Sequence, residues 1–168
     1  MDMDRENDIV CHFDKQFNIP QNTLITGKYY DKWDDKLTIY YSMEEGNIWT
    51  DYLANDKGWF LVSDKLKRVL EFVNSDIQFL KVTVEEYKNT NLVKEYYFAN
   101  VLRVVDALCL KKSKYFETEI PGIGTVYTVS KYGIYSKKVE NSDVFKLANR
   151  QQVPLFVSEK FKKLIEEK

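Results

Sequence analysis

The sequence predicts an α+β fold in which two similar strand–helix units pack on one mostly antiparallel sheet. A phrase of eleven residues occurs twice, at residues 61–71 and again at 156–166, and every position is identical or chemically similar. Several further runs are rich in β-branched and aromatic residues, which favour strands. These runs are too numerous for a regular alternation of single strands and helices. One duplicated phrase also falls short of a solenoid, which needs several stacked repeats.

The size and composition fit one soluble domain, or two small halves that share a core. The chain has 168 residues, of which 44% are hydrophobic and 30% charged, as is usual for globular proteins. Only 6 glycines and 3 prolines are present, which disfavours long flexible linkers. We therefore predict one domain over residues 1–168, with a core at 48–168 and a less readily interpreted N-terminal segment at 1–47.

Strands are expected wherever β-branched and aromatic residues follow one another between turn signals. The turn Pro121-Gly122-Ile123-Gly124 should separate two strands, and a further hairpin is expected to bend at residues 131–133. The run 93–108 is apolar on both faces, which is typical of a central strand and leaves Asn100 as a buried amide that needs partners. The other expected strands are residues 9–13, 37–41 and 77–84.

Each copy of the duplicated phrase predicts a helix that begins after a serine. Ser63 and Ser158 are suited to the N-cap position, and an acidic residue follows each of them in the first turn. The first helix should bury a stripe at i, i+3, i+4 and i+7, and the second should do the same with fewer residues. Residues 53–55 precede the first phrase much as residues 147–149 precede the second. The inward residues are Leu66, Val69, Leu70 and Val73, then Phe161, Leu164 and Ile165.

The sequence shows no pattern typical of an enzyme. His12 is the only histidine, and its neighbour Cys11 should point to the opposite face of a strand, which disfavours a thiol–imidazole pair. Gly122-Ile123-Gly124 lacks the rest of a nucleotide-binding motif and is better explained as a turn. A hydrolase that uses carboxylates stays open, because the spacing of such a pair is spatial. A small-molecule-binding protein with an aromatic pocket is another alternative.

No cofactor or metal is predicted. One histidine and two distant cysteines, Cys11 and Cys109, do not make a zinc site, and no acidic cluster resembles a calcium loop. The N-terminus is acidic and polar, unlike a signal peptide, and no apolar run approaches the ~20 residues of a membrane helix. With only two cysteines, the chain is expected to be a reduced, cytoplasmic protein without a membrane partner.

The charge distribution is uneven, although the net charge is only -1. That balance disfavours a nucleic-acid partner, because phosphate binding needs a basic excess. Residues 31–56 contain seven acids and two bases, whereas bases outnumber acids from Lys111 onward. The simpler interpretation is two solvated faces, and the functional one is an acidic patch for a basic partner. The candidate partner-binding residues are Trp33, Asp34, Asp35, Glu44, Glu45, Trp49 and Asp51.

Several motifs in the chain resemble one bacterial family. The strand Tyr96 to Leu108, the phrase Asp143-Val144-Phe145-Lys146-Leu147 and the segment Leu155 to Lys162 occur in its order, and residues 51–66 and 77–80 match as well. Over residues 48–168 the chain resembles family eleven of the immunity proteins of polymorphic toxin systems, first described as a domain of unknown function.

The resemblance implies a cytoplasmic protein that binds and neutralises a cognate toxin, typically encoded beside it, and it supplies no catalytic residues. Occlusion of the toxin's active site would be the mechanism. Many such toxins are basic nucleases, which the acidic stretch with its interleaved tryptophans would suit.

Overall fold

The computed structural model describes residues 7–73, 75–87, 89–148 and 154–166. Its elements gather into two compact units, residues 1–102 and residues 103–168. The α+β class is confirmed. The prediction of a single domain over residues 1–168 stays a prediction.

The first unit is built on six strands that close into one sheet. The strands follow one another around this sheet in the order β1-β2-β5-β6-β4-β3, and β3 pairs with β1 to complete it. The expected strands at 9–13, 37–41 and 77–84 are all present, although their bounds differ by a few residues. The strands are β1 (Val10–His12), β2 (Thr38–Tyr41), β3 (Tyr52–Asn55), β4 (Leu61–Ser63), β5 (Ile77–Glu86) and β6 (Asn89–Val101).

The closed sheet is mixed. The pairs β1–β3 and β2–β5 are parallel, and the four other pairs are antiparallel. Parallel neighbours need a long crossover between them, and residues 42–76 provide one between β2 and β5. These two parallel pairs mean that the predicted mostly antiparallel sheet is not confirmed. The sequence did not indicate them, because local periodicity carries no signal for partners so far apart.

The interior of the closed sheet is filled by alternate side chains of its strands. In β2, for example, Ile39 and Tyr41 are buried while Thr38 and Tyr40 are partly exposed, as expected for strands that line a closed sheet. Asn100 is buried as predicted, and its amide nitrogen donates to the carbonyl of Lys28 and to the side-chain oxygen of Gln78. The core comprises Ile9, Cys11, Leu24, Ile39, Tyr41, Leu53, Trp59, Leu61, Leu80, Val82, Val84, Tyr96 and Phe98.

Helix α1 (Asp64–Glu71) follows β4 directly and packs on the closed sheet. Its N-cap is Ser63, whose hydroxyl accepts the amide of Leu66 at 3.1 Å, as predicted. The residues that it buries are Val69 and Leu70.

The described residues of the second unit form two separate sheets. One has three strands in the order β11-β10-β7, formed by β7 (Val104–Val105), β10 (Val144–Leu147) and β11 (Phe156–Val157). The other is a hairpin of β8 (Lys114–Ile120) and β9 (Gly124–Lys131) around the predicted turn. The unit also has the helices α2 (Ser136–Val139) and α3 (Glu159–Glu166), and a core that includes Ala107, Phe145 and Leu147.

Two predictions for this region are wrong in detail. The run 93–108 is two strands in different sheets, because β6 ends at Val101 and β7 begins at Val104. No hairpin bends at residues 131–133. There Gly133 lies against Lys112 so closely that an added Cβ would meet the backbone carbon of Lys112 at 2.7 Å. The chain then pairs Ile134 with Leu108 and enters α2.

The two strand–helix units do not share one sheet. Strand β4, before α1, belongs to the closed sheet, whereas β11, before α3, belongs to the three-stranded sheet. The prediction of two such units packed on a single sheet is therefore not confirmed. The similarity of the phrases reflects their local pairing and capping instead.

In both copies of the phrase, the serine before the helix is bound to an aspartate that lies upstream of the phrase. The hydroxyl of Ser63 donates to a carboxylate oxygen of Asp51 at 2.6 Å, and the hydroxyl of Ser158 donates to Asp143 at 2.7 Å. The amides of the two serines donate to the carbonyls of the same aspartates. Ser158 caps α3 by accepting the amide of Phe161, as predicted. The duplicated feature is thus a capped helix whose serine is fixed to an aspartate upstream.

The strand register corrects the expected extension of the repeat. Leu53 pairs with Leu61 in the first unit, and Phe145 pairs with Phe156 in the second. Phe145 is therefore the counterpart of Leu53, and the predicted match of residues 53–55 with residues 147–149 is wrong by two positions. Residue 149 itself lies outside the described residues.

Candidate functional site

Strand β2 separates the two acidic pairs that the sequence predicted as one partner-binding patch. Asp34 and Asp35 are exposed and precede β2, where a side-chain oxygen of Asp34 accepts the amide of Lys36 at 2.9 Å. Glu44 and Glu45 are exposed in the turn that follows β2. The two pairs therefore lie beyond opposite ends of the strand.

The turn after β2 is held close to β1 by hydrogen bonds through His12. Nε2 of His12 lies 2.6 Å from a carboxylate oxygen of Glu45, and Nδ1 lies 2.9 Å from a carboxylate oxygen of Asp56. Gly46 permits this approach, because a Cβ at that position would lie 2.2 Å from the carbonyl oxygen of Asp8. One imidazole thus links three segments of the chain.

The surroundings of His12 favour its protonated form. Burial alone would lower the pKa of His12, but the hydrogen bonds to Glu45 and Asp56 and the charges of both carboxylates outweigh burial and raise the pKa. Both ring nitrogens are engaged by carboxylates, so in this arrangement neither is available to accept a proton from a substrate. The geometry makes His12 a cationic bridge between two acids.

Cys11 points away from His12, as predicted for adjacent strand residues. Its side chain is fully buried in the core of the closed sheet. Burial, with the nearby charge of Asp56, raises the pKa of the Cys11 thiol to about 12. A thiol that keeps its proton is a weak nucleophile, so Cys11 acts here as a small apolar core residue.

Further acidic residues join Glu44 and Glu45 at this end of β2. The parallel register places Glu85 beside Tyr40 and Glu86 beside Tyr41. Tyr87 follows them, is 72% exposed, and packs edge-on against Tyr40 with ring centroids 6.1 Å apart. We call this surface the acidic end. It comprises Glu44, Glu45, Asp56 and Glu85, with His12, Tyr40 and Tyr87. Glu86 is left out, because it lies beside buried Tyr41 and one of its carboxylate oxygens is buried.

Sequence reasoning missed His12, Glu85 and Tyr87 as members of this surface. Glu85 is far from Glu44 in sequence, and only the parallel pairing of β2 with β5 brings it to this end of β2. The one available signal was the dipeptide Glu85-Glu86, directly after the expected strand 77–84. Acidic dipeptides are also common in solvated turns, so this signal was weak.

Trp33 and Trp49 pack into the core more than they project from it. The indole nitrogen of Trp33 donates to the carbonyl of Lys81 at 2.7 Å, and its ring packs against Phe98. Trp49 packs edge-on against Tyr41 with centroids 5.0 Å apart. Lys94 lies over the ring of Trp49, with its nitrogen 4.2 Å from the centroid. Both tryptophans are only partly exposed, so much of each ring serves packing.

Asp51 has a structural role beside its predicted one. It accepts the hydroxyl of the α1 cap, Ser63, and its second carboxylate oxygen lies 3.4 Å from the ammonium nitrogen of Lys65. The side chain is about half exposed. A substitution at Asp51 would therefore alter the start of α1 as well as the surface charge.

Neither a metal cluster nor a membrane-spanning helix is found in the described part of the chain. Within residues 7–73, 75–87, 89–148 and 154–166, no three side chains of the metal-binding types are grouped to hold an ion. No helix among these residues is both long enough and apolar enough to cross a bilayer.

The whole chain matches one protein family. The model of the family described as "Immunity protein family (Imm11)" covers residues 1–168. This match includes residues 1–47, to which the sequence motifs gave no counterpart. No curated protein matches the chain.

Proposed function

The chain belongs to the Imm11 immunity protein family, and from this premise we propose that it binds a cognate toxin and neutralises it by occlusion. The match over all 168 residues is the observation that carries the proposal. The toxin would belong to a polymorphic or contact-dependent system and would be encoded beside this chain. Neutralisation would take place in the cytoplasm, where such a toxin would act.

The acidic end is the surface that we propose for contact with a basic toxin domain, such as a nuclease. Its carboxylates come from three segments, and the exposed ring of Tyr87 packs against Tyr40, which lies beside Glu85 in the sheet. Charged groups of this kind increase the rate of association with a partner of opposite charge, and aromatic side chains often supply much of the binding energy. The pair Asp34 and Asp35 belongs to the predicted patch but lies beyond the other end of β2.

Co-expression with the neighbouring toxin domain tests the function directly. The full chain should restore growth to cells that produce the toxin domain, and the two proteins should co-purify. If the chain neither protects the cells nor binds the toxin domain, the proposed function is wrong.

Charge reversal tests the acidic end separately. A double variant with Glu44→Lys and Glu85→Lys should slow association at low salt about tenfold or more, because long-range attraction is lost. The matched variant with Asp34→Lys and Asp35→Lys reverses the same charge beyond the other end of β2 and should slow association less. Glu45 and Asp51 are left intact because they bind His12 and Ser63. Equal rates for both double variants would contradict the assignment to the acidic end.

A further inference from the structure

The β8–β9 hairpin exposes side chains along its whole length. All seven residues of β8 are exposed, as are most of those of β9. Among the strands of the described residues, neither β8 nor β9 has a second neighbour. A two-stranded hairpin is marginally stable when it stands alone in water, so this one presents both faces for contact with another surface.

The register of the hairpin sorts its side chains into two different faces. Residues directly opposite each other share a face, and successive residues alternate. One face carries Tyr115, Glu117 and Glu119, and the rings of Tyr115 and Tyr127 meet edge-on on it with centroids 5.3 Å apart. The other face has no charged residue from position 115 to the turn, and it consists of Phe116, Thr118, Ile120, Gly124, Val126 and Thr128.

The uncharged face and the turn expose large apolar groups. Phe116 is 74% exposed, and Ile123, at the turn, is 50% exposed. Exposed aromatic and aliphatic groups on a β-rich segment mark a contact site or a risk of aggregation. A covering partner would remove that risk and would gain the free energy of burying these side chains.

The charge of the hairpin indicates the chemistry of the partner. Residues 115–130 contain Glu117 and Glu119 but no lysine or arginine, so this part of the hairpin carries a charge of -2 (two acids and no bases). Lys114 and Lys131 stand opposite each other only at its base. A cleft with basic groups on one wall and apolar groups on the other would complement the two faces.

The size of one face argues against a second copy of this chain as the partner. Seven residues at ~3.3 Å and two strands ~4.8 Å apart give a face of roughly 200 to 250 Å². A stable interface buries about 800 Å² per partner, so two hairpins stacked face to face would fall well short. Insertion between two walls would bury both faces, roughly 400 to 500 Å² together, and the turn as well, so the hairpin would supply about half or more of a standard interface.

We propose that the β8–β9 hairpin is an arm that inserts into a cleft of the cognate toxin with one basic and one apolar wall. This inference rests on the proposed function and names the element that enters the toxin. The uncharged face, with Phe116, would lie against the apolar wall, and Glu117 and Glu119 would meet the basic wall.

Binding of a catalytically inactivated form of the toxin domain tests the arm. Phe116→Thr should raise the Kd at least tenfold, because an aromatic anchor is lost while a residue that favours strands is kept. Phe72→Thr is the matched control, since Phe72 is 85% exposed in the first unit. It should leave the Kd unchanged. Amide hydrogen exchange of the unaltered chain is a second measurement that depends on no variant, and toxin binding should protect β8 and β9 from exchange.

The outcomes separate the two proposals. Suppose that the unaltered chain binds and neutralises the toxin while Phe116→Thr binds equally well and β8 and β9 gain no protection. That result would contradict insertion of the hairpin and leave the proposed function intact. If Phe116→Thr fails to fold, protection of β8 and β9 in the unaltered chain decides whether the hairpin contacts the toxin. If the unaltered chain does not bind the toxin domain, both the proposed function and the insertion of the hairpin are wrong.

Discussion

His12 shows how one residue can tie three segments of a surface together. Its two ring nitrogens contact Glu45 and Asp56, in the turns after β2 and after β3. An imidazolium satisfies both carboxylates, whereas a neutral imidazole can donate to only one. The bridge therefore depends on protonation, and it joins residues of the acidic end.

The bridge predicts that His12 contributes more to stability in acid. The pKa of His12 is raised above its ordinary value of 6.5, so its stabilisation is complete below that value and is lost as the pH rises through the raised pKa. Urea unfolding of the unaltered chain and of His12→Gln should differ more at about pH 5.5 than at about pH 8.5. The difference should stay below about 1 kcal/mol because the side chain is 41% exposed. A difference that grew with pH would contradict the bridge.

The contribution of Lys146 to stability should depend on pH in the opposite direction to that of His12. Burial within β10 lowers the pKa of Lys146 from 10.5 to about 8. Between these values the unfolded chain binds the extra proton, so raising the pH through this range should stabilise the fold. The stability of Lys146→Met relative to the unaltered chain should therefore be greatest near neutral pH and should decrease as the pH approaches 10.5. Urea unfolding at several pH values measures this, and a difference in stability that is independent of pH would contradict the lowered pKa.

At the scale of elements, the aspartate–serine caps are the feature that both copies of the phrase share. The serine in each cap accepts a helix amide and donates to an aspartate upstream, so removing its hydroxyl leaves both groups without that partner. Ser63→Ala and Ser158→Ala should each lower the free energy of unfolding by about 1 kcal/mol. Thermal unfolding measures this, with Thr128→Ala as the control for an exposed hydroxyl. A loss no larger than that of the control would show that the caps are incidental.

The close approach of Gly46 to Asp8 predicts that a side chain at position 46 would destabilise the turn after β2. An added methyl group would meet backbone atoms, which cannot rotate away as the end of a side chain can. Gly46→Ala should therefore cost about 1 to 3 kcal/mol. Asn47→Ala, at the next residue, is the control and should cost little. Urea unfolding of the two variants distinguishes them, and equal stability would show that the turn relaxes without cost.

The sequence predicted where strands and helix caps lie better than it predicted which strands pair with each other. The runs at 37–41 and 77–84 are strands, and both serines cap helices, because strand propensity and capping act over a few residues. The parallel pairs β1–β3 and β2–β5 depend on long connections, so no local pattern indicated them. For the same reason Glu85 and Tyr87 were missing from the predicted site. The break of the long run at Leu102 also followed from tertiary pairing.

At the scale of the whole molecule, the family match spans both compact units. Each unit carries one proposed contact surface, the acidic end in the first and the hairpin arm in the second. Both surfaces are acidic and expose aromatic groups, which suits a basic protein partner. In the acidic end, the imidazole of His12 has a carboxylate oxygen within hydrogen-bond distance of each ring nitrogen.

Occlusion requires one immunity protein for each toxin molecule, and a titration tests this claim most directly. Residual toxin activity should fall linearly as the chain is added and should reach its minimum at a ratio of one to one, with a stable complex of the two proteins present. Complete inactivation by far less than an equal amount of the chain, without a complex, would contradict the account and would indicate that the chain acts as a catalyst.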